Sequence, residues 1–260
     1  MQKVKCKMQN ANASLHMNII NNLIFAFCTL PFDCKIFFAM FREELISAIR
    51  DYRWLLDKHY PLRSSIHLVG DRYKLTGAER SILYRGVGDS ASAKHRSGKL
   101  TSELSTGIIA IDCYNVLFTL MNYLTGKPVY ISDDGFVRDA GEGRGRINNK
   151  KIFDKALKLL KEFILDNPEK DYYLLLDEPI SNSAKLALEL YEFLKTSGIR
   201  GIAETLRSPD YVLQNFTNVI LCSGDSVIID RTKCKVFDIP GYILKRSFKT
   251  KFDSISLIFS

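Results

Sequence analysis

From Phe41 onward the apolar residues follow a helical period. In "FREELISAIRDYRWLLDKHYP" they fall at Leu45, Ile46, Ile49, Tyr52, Leu55 and Leu56. Steps of three and four place such residues on one stripe of a helix, and Pro61 ends the run. Two shorter helical pieces follow, "LRSSIHLVGDRYKL" and "TGAERSILYRGV", around a Gly-Asp break. Three short helices in succession fit a helix-turn-helix-like unit or a helical cap packed on a larger domain. The next stretch, "GVGDSASAKHRSGKLTSEL", is rich in Gly, Ser and basic residues. It reads as a linker or a mobile loop.

Beyond Gly107 the period shortens and alternates. Strands are predicted in "GIIAIDC", "YYLLLDEP", "IRGIAETL" and "NVILCSGDSVIID", with one or two more in "CKVFDIPGYIL". Helices are predicted in "NVLFTLMNYLTG", "IFDKALKLLKEFIL", "SNSAKLALELYEFLKTSG" and "SPDYVLQNF". Gly126 and Gly198 stop two of them, and Ser208 with Pro209 starts another. "KPVYISDDGFVRDAG" reads as a hairpin or extended insertion turning at Asp134-Gly135. Strands alternating with helices predict an α/β fold, a mostly parallel sheet with helices on both faces. The expected layout is an extension over 1–39, a helical segment and linker over 40–100, and an α/β domain over 101–260.

The extension has a different character. "IINNLIFAFCTLPFDCKIFFAMF" follows a basic start, as a signal peptide or membrane anchor would. Asn21, Asn22, Pro31, Asp33 and Lys35 interrupt it, and a spanning helix needs ~20 apolar residues. No stable membrane association is expected. Three of the six cysteines lie within residues 1–39, and Met40 offers an alternative start.

Composition narrows the class. With 46% hydrophobic and 25% charged residues the chain is ordinary and globular. A formal charge of +8 is compatible with a polyanionic partner. None of the six cysteines stands in C-x-x-C spacing and the four histidines do not cluster, so no structural zinc site is expected. A reducing cytoplasm is the expected setting.

The aspartates carry the chemistry. Asp112 ends "GIIAID", Asp177 ends "YYLLLD", and Asp225 follows "NVILCSG". In open α/β sheets ligands bind beyond the carboxyl ends of the strands. Three carboxylates converging there would resist joint ionisation unless a cation lay between them. Mg²⁺ or Mn²⁺ suits ligands that are all oxygen. Asn115 stands three residues after Asp112, and Asp210 falls in the first turn of the "SPDYVL" helix. A single aspartate at a strand end is more often a turn former or helix cap, and it is the recurrence of three in the same relative place that points to a site.

These residues resemble a family. "IDCYNV" is similar to the D-x-x-N opening of the PIN-like nucleases, in particular their NYN branch. "LLLDEP", "SPDYVL" and "LCSGDSVI" resemble, in order, its later acidic segments. The likeness covers residues 107 to about 245. "ERSILYRGV", "DDGFVRDAGEGRGR" and "LLLDEPISNSAKLA" also look like an uncharacterised prokaryotic family, of the domain of unknown function 434 type. The PIN-like resemblance implies a three-layer, Rossmann-like fold and metal-dependent hydrolysis of a phosphodiester, RNA being the expected substrate. It implies an acidic catalytic cluster of Asp112, Asp177, Asp210 and Asp225, with Asn115 and Ser223 in support. Asp112, Asp177 and Asp225 would hold Mg²⁺ or Mn²⁺. One position departs from the pattern. Val227 stands where NYN proteins often carry a second acid, and the next acid is Asp230.

Further participants are expected on the residues' own chemistry. Asp134 and Arg138 lie in the insertion, which reads equally as a hairpin turn followed by a flexible loop. Lys94, Arg96, Arg144, Arg146 and Lys150 would supply phosphate contacts. A non-catalytic RNA- or nucleotide-binding module on the same fold is the alternative, and a hydrolase of small phosphate esters is a third reading. A homodimer stays open.

Overall fold

The computed structural model describes residues 41–141, 147 and 149–259. The extension over 1–39, with Arg144 and Arg146, lies outside the described residues. Four helices come first: α1 (Glu43–Asp57), α2 (Leu62–Arg72), α3 (Gly77–Gly86) and α4 (Ser90–Ser97). The stripe of α1 buries Leu45, Ala48, Ile49, Tyr52 and Leu55, as its spacing requires. A capping box between Thr76 and Glu79 starts α3, and Arg42 clasps Glu79 at 2.6 Å.

Two expectations about this segment are corrected. α2 runs straight through Gly70-Asp71, and the chain turns later, at Lys74 (φ 48°). A Cβ at Gly70 would meet the end of the Arg80 side chain at 2.2 Å, so a larger residue there would make that guanidinium move. The supposed linker holds helix α4. Asp89 caps it by accepting the Ser92 N–H at 2.9 Å, and Ala93 and Arg96 face inward.

The main sheet has six strands: β1 (Leu100–Thr101), β2 (Ile108–Asp112), β5 (Asp171–Asp177), β6 (Gly201–Leu206), β7 (Ile220–Cys222) and β8 (Lys235–Phe237). Their order is β1-β8-β7-β2-β5-β6, and every pairing is parallel. Alternation along β2 sorts an unbroken apolar run onto two faces. Ile109 and Ile111 join one core with α5 (Cys113–Leu124), α6 (Lys150–Leu165), α7 (Ser183–Thr196) and α10 (Ile239–Phe248). Ala110 joins the other with α8 (Pro209–Asn215) and α9 (Ser226–Arg231). The result is a sheet flanked by helices on both faces, with a helical segment before it.

A separate antiparallel pair, β3 (Val129–Ile131) and β4 (Val137–Asp139), forms the expected hairpin. Gly135 (φ 89°) sits in its turn, where other residues would be strained. Tyr130 and Ala140 from this hairpin share a third core with α1, α2, α3, Ile255 and Ile258. The helical segment therefore packs on the hairpin and on the chain's C-terminal stretch.

Two stretches read as strand are helical. Asp225 accepts the N–H groups of Val227 and Ile228, so "SVIIDR" winds into α9. Asp238 accepts the Gly241 N–H, and with Pro240 it starts α10 where a last strand was expected. In both, a local capping carboxylate outweighs β-branched composition. Ser208 precedes α8 without a side-chain capping bond. Among the described residues no helix is long and apolar enough to cross a membrane.

Candidate active site

The strand order creates the crevice. From β2 the chain moves outward to β5 and β6 on one side, then returns to β7 and β8 on the other. The winding reverses between β2 and β7, and at such a switch point the loops leave in opposite directions and open a cleft. Asp112 and Asp177 are the last residues of β2 and β5. Asp225 follows β7 after Ser223 and Gly224, and Asp210 lies in the first turn of α8, just beyond β6. All four aspartates thus belong to the carboxyl end of the sheet.

Two sequence motifs are fastened together at the switch point. Ser223 donates its hydroxyl to Asp112 Oδ2 at 2.9 Å and accepts the Asp225 N–H at 3.1 Å. The side-chain oxygen of Asn115 accepts the Gly224 N–H at 2.7 Å. Asp112 Oδ1 accepts the Asn115 N–H at 3.3 Å, capping α5. Asn115 and Ser223 therefore hold the turn after β7 against the start of α5.

Like charges crowd here. Asp112 is 6% exposed, and its carboxyl is pushed up to about 7. Burial is the main cause, and Asp177 and Asp210 add to it against the Ser223 and Asn115 hydrogen bonds. Burial and then Asp210 raise half-buried Asp177. Burial and then Asp225 raise Asp210. The donors are all oxygen, which fits a hard divalent cation such as Mg²⁺ or Mn²⁺. Among the described residues, no group of three or more His, Cys, Asp or Glu is close enough as it stands to hold a metal ion. The donor chemistry fits; a ready-made cage is not there.

The hairpin residues lie elsewhere in the network. Asp134 is fully buried between Arg96 (2.7 Å) and Arg138 (2.8 Å). Burial opposes its charge, but Arg138, Ser132 and Arg96 outweigh this and hold the carboxyl below the usual range. Arg138, itself buried, also donates to the Gly224 carbonyl at 3.0 Å. It braces the turn from behind. Arg96, expected on a solvated basic loop, is 6% exposed and also pairs with Asp230 at 3.1 Å. Two carboxylates already occupy its guanidinium. Lys94 is exposed on α4, and Lys150 is exposed at the start of α6.

Sequence reasoning missed the buried links behind the hairpin. Arg53 pairs with Asp133, which also accepts the Gly88 N–H at 2.6 Å. Asp139 is held by Asn122 (2.7 Å), Gly141 N–H (2.9 Å), Thr119 (3.1 Å) and Arg85 (3.2 Å). The Asp134–Arg138 spacing was a visible signal; Arg53, Arg85 and Arg96 gave none, being distant in sequence.

Fold and site together define a doubly wound parallel α/β protein with a carboxylate-rich crevice at its switch point. The chain belongs to the family described as Domain of unknown function (DUF5616), whose model matches residues 101–242. A second model, Protein of unknown function (DUF434), matches residues 44–99, the span of the four leading helices. An uncharacterised protein of Methanocaldococcus jannaschii is 28% identical over 190 residues, covering 72% of this chain and 90% of the relative. No solved structure matches at a significant level.

Proposed function

We propose that this chain is a PIN-like, metal-dependent nuclease of the cytoplasm that hydrolyses phosphodiester bonds in RNA. The observation that carries the reading is the placement of Asp112, Asp177, Asp210 and Asp225 at the carboxyl end of one sheet, where neighbouring carboxylates raise Asp112, Asp177 and Asp210. Asp112, Asp177 and Asp225 would hold Mg²⁺ or Mn²⁺. Such an ion, when bound, stabilises charge on phosphoryl oxygens and lowers the pKa of water. Ser223 and Asn115 hold Asp112 and the Gly224 turn in place. Asp210, exposed at the crevice mouth and raised above the usual carboxylate range by burial and Asp225, is the carboxylate we assign to take a proton there. Three buried free thiols, Cys113, Cys222 and Cys234, accord with a reducing compartment.

A second reading is favoured by two observations: the lack of a preformed three-carboxylate group among the described residues, and Val227 at the second-acid position. It is an RNA-binding module without hydrolysis. Labelled single-stranded and structured RNA, incubated with the full chain in Mn²⁺ or in EDTA, separates the two. Cleavage that requires Mn²⁺ and vanishes in Asp112→Asn supports the nuclease. Binding in EDTA with no cleavage in Mn²⁺ supports the module. Equal cleavage by wild type and variant overturns the role given to Asp112.

A further inference from the structure

Strand β6 is the last strand on one side of the main sheet. Among the described residues β6 pairs only with β5, so one side of its backbone has no ladder partner. The carbonyls of Arg200 and Leu206 accept the Tyr172 and Glu178 N–H groups. Backbone polar groups alternate sides along a strand. Even-numbered residues therefore turn their N–H and C=O toward β5, and Gly201, Ala203 and Thr205 turn theirs outward.

Side chains alternate as well. Arg200, Ile202 and Glu204 share one face and are all exposed, Arg200 at 79% and Ile202 at 40%. Edge strands of this kind template pairing unless they are short, charged or covered. The two charges here have opposite sign and stand symmetrically about an apolar residue. Their spacing selects one register. An antiparallel pairing with its two-fold axis at Ile202 sets Ile202 against Ile202, and Arg200 of each chain against Glu204 of the other. Gly201 then faces Ala203 and exchanges main-chain hydrogen bonds with it. Moving the axis to Ala203 would set Ile202 against Glu204, and moving it to Glu204 would set like charges together. Arg200 already pairs with Asp171 at 2.8 Å through Nε, which leaves other guanidinium donors free to turn outward. The helices flanking this edge on the two faces, α7 and α8, also expose apolar side chains: Leu188 at 61%, Tyr191 at 41% and Tyr211 at 67%.

We infer that two copies of this chain associate through β6, antiparallel and centred on Ile202, to make one continuous sheet of a two-fold dimer. The inference is independent of any nuclease activity. Sedimentation of the full chain at micromolar concentration tests it, with twice the 29.7 kDa of one chain expected. Glu204→Arg and Arg200→Glu each set like charges across the axis, and each alone weakens the dimer tenfold or more. Mixed in equal amounts, the two variants restore a dimer, because every pair is again opposite in charge. Ala203→Pro removes an outward N–H without touching the β5 ladder, and it too yields monomer while the circular dichroism stays that of the wild type. A monomeric wild type, single variants that dimerise like wild type, or a mixture that stays monomeric would each overturn the inference.

Discussion

Replacing Asp112 by Asn should stabilise this protein in alkaline buffer and do so less as the pH falls. In the folded chain the carboxyl is raised from 3.8 to about 7, chiefly by burial. A raised pKa contributes stability that is complete below the unfolded value and is lost as pH rises through the folded one. At ~1.4 kcal/mol per pH unit, the wild type gives up roughly 4 kcal/mol between those limits. Asn cannot ionise, so it escapes that loss. Its amide can still accept from one of the two donors, Asn115 N–H or Ser223 Oγ, and losing the other hydrogen bond costs ~1 kcal/mol at every pH. The variant's advantage should therefore widen by about 3 kcal/mol between roughly pH 5 and pH 8. For a domain of this size that is a widening in Tm of ~5–10 °C. Scanning calorimetry of both proteins in EDTA at several pH values reads it directly. A Tm difference that stays constant with pH, or shrinks toward alkaline pH, would refute the claim that a buried, crowded carboxylate titrates here.

The same change at Asp134 should act in the opposite sense. Asp134→Asn leaves buried Arg138 without its carboxylate and Arg96 with Asp230 alone, and breaking a buried pair costs ~3–5 kcal/mol. Its Tm at about pH 8 should fall by ~6–15 °C in the same calorimeter. Ser223→Ala removes a hydrogen bond that favours ionised Asp112, so the alkaline loss of stability should extend to higher pH than in the wild type. Asn115→Ala leaves the Gly224 N–H without its 2.7 Å partner, and a loss of ~1–3 kcal/mol in urea unfolding is expected. If single-stranded RNA binds through ~4 phosphates, log K should fall with log salt at a slope near −3, measured by fluorescence anisotropy.

Most of the architecture could be read along the chain because its causes are local. Period-2 and period-3.6 patterning located five of the six sheet strands and the helices from Glu43 to Thr196, apart from α4. Where a single capping side chain decided the outcome, composition misled. Asp89 turned a Ser-rich basic stretch into α4, and Asp225 and Asp238 turned β-branched stretches into α9 and α10. The basic residues of "SASAKHRS" looked solvated, yet Arg96 lies beneath the hairpin because two acids far along the chain reach it.

The sequence by itself determined the chemistry available to the site: aspartates at strand ends, in order, with Asn115 and Ser223 beside them. It also determined the β6 pattern of Arg200, Ile202 and Glu204. Only the tertiary structure decided which of these residues meet. Ser223 reaches Asp112 across 111 residues of chain because β7 pairs beside β2, on the far side from β5. Strand order is set by the packing of helices on both faces, a sum over many distant contacts, whereas periodicity reports only on near neighbours. The same distance hid the Arg96–Asp134–Arg138 cluster, whose charges are tolerated inside only because the fold brings them together.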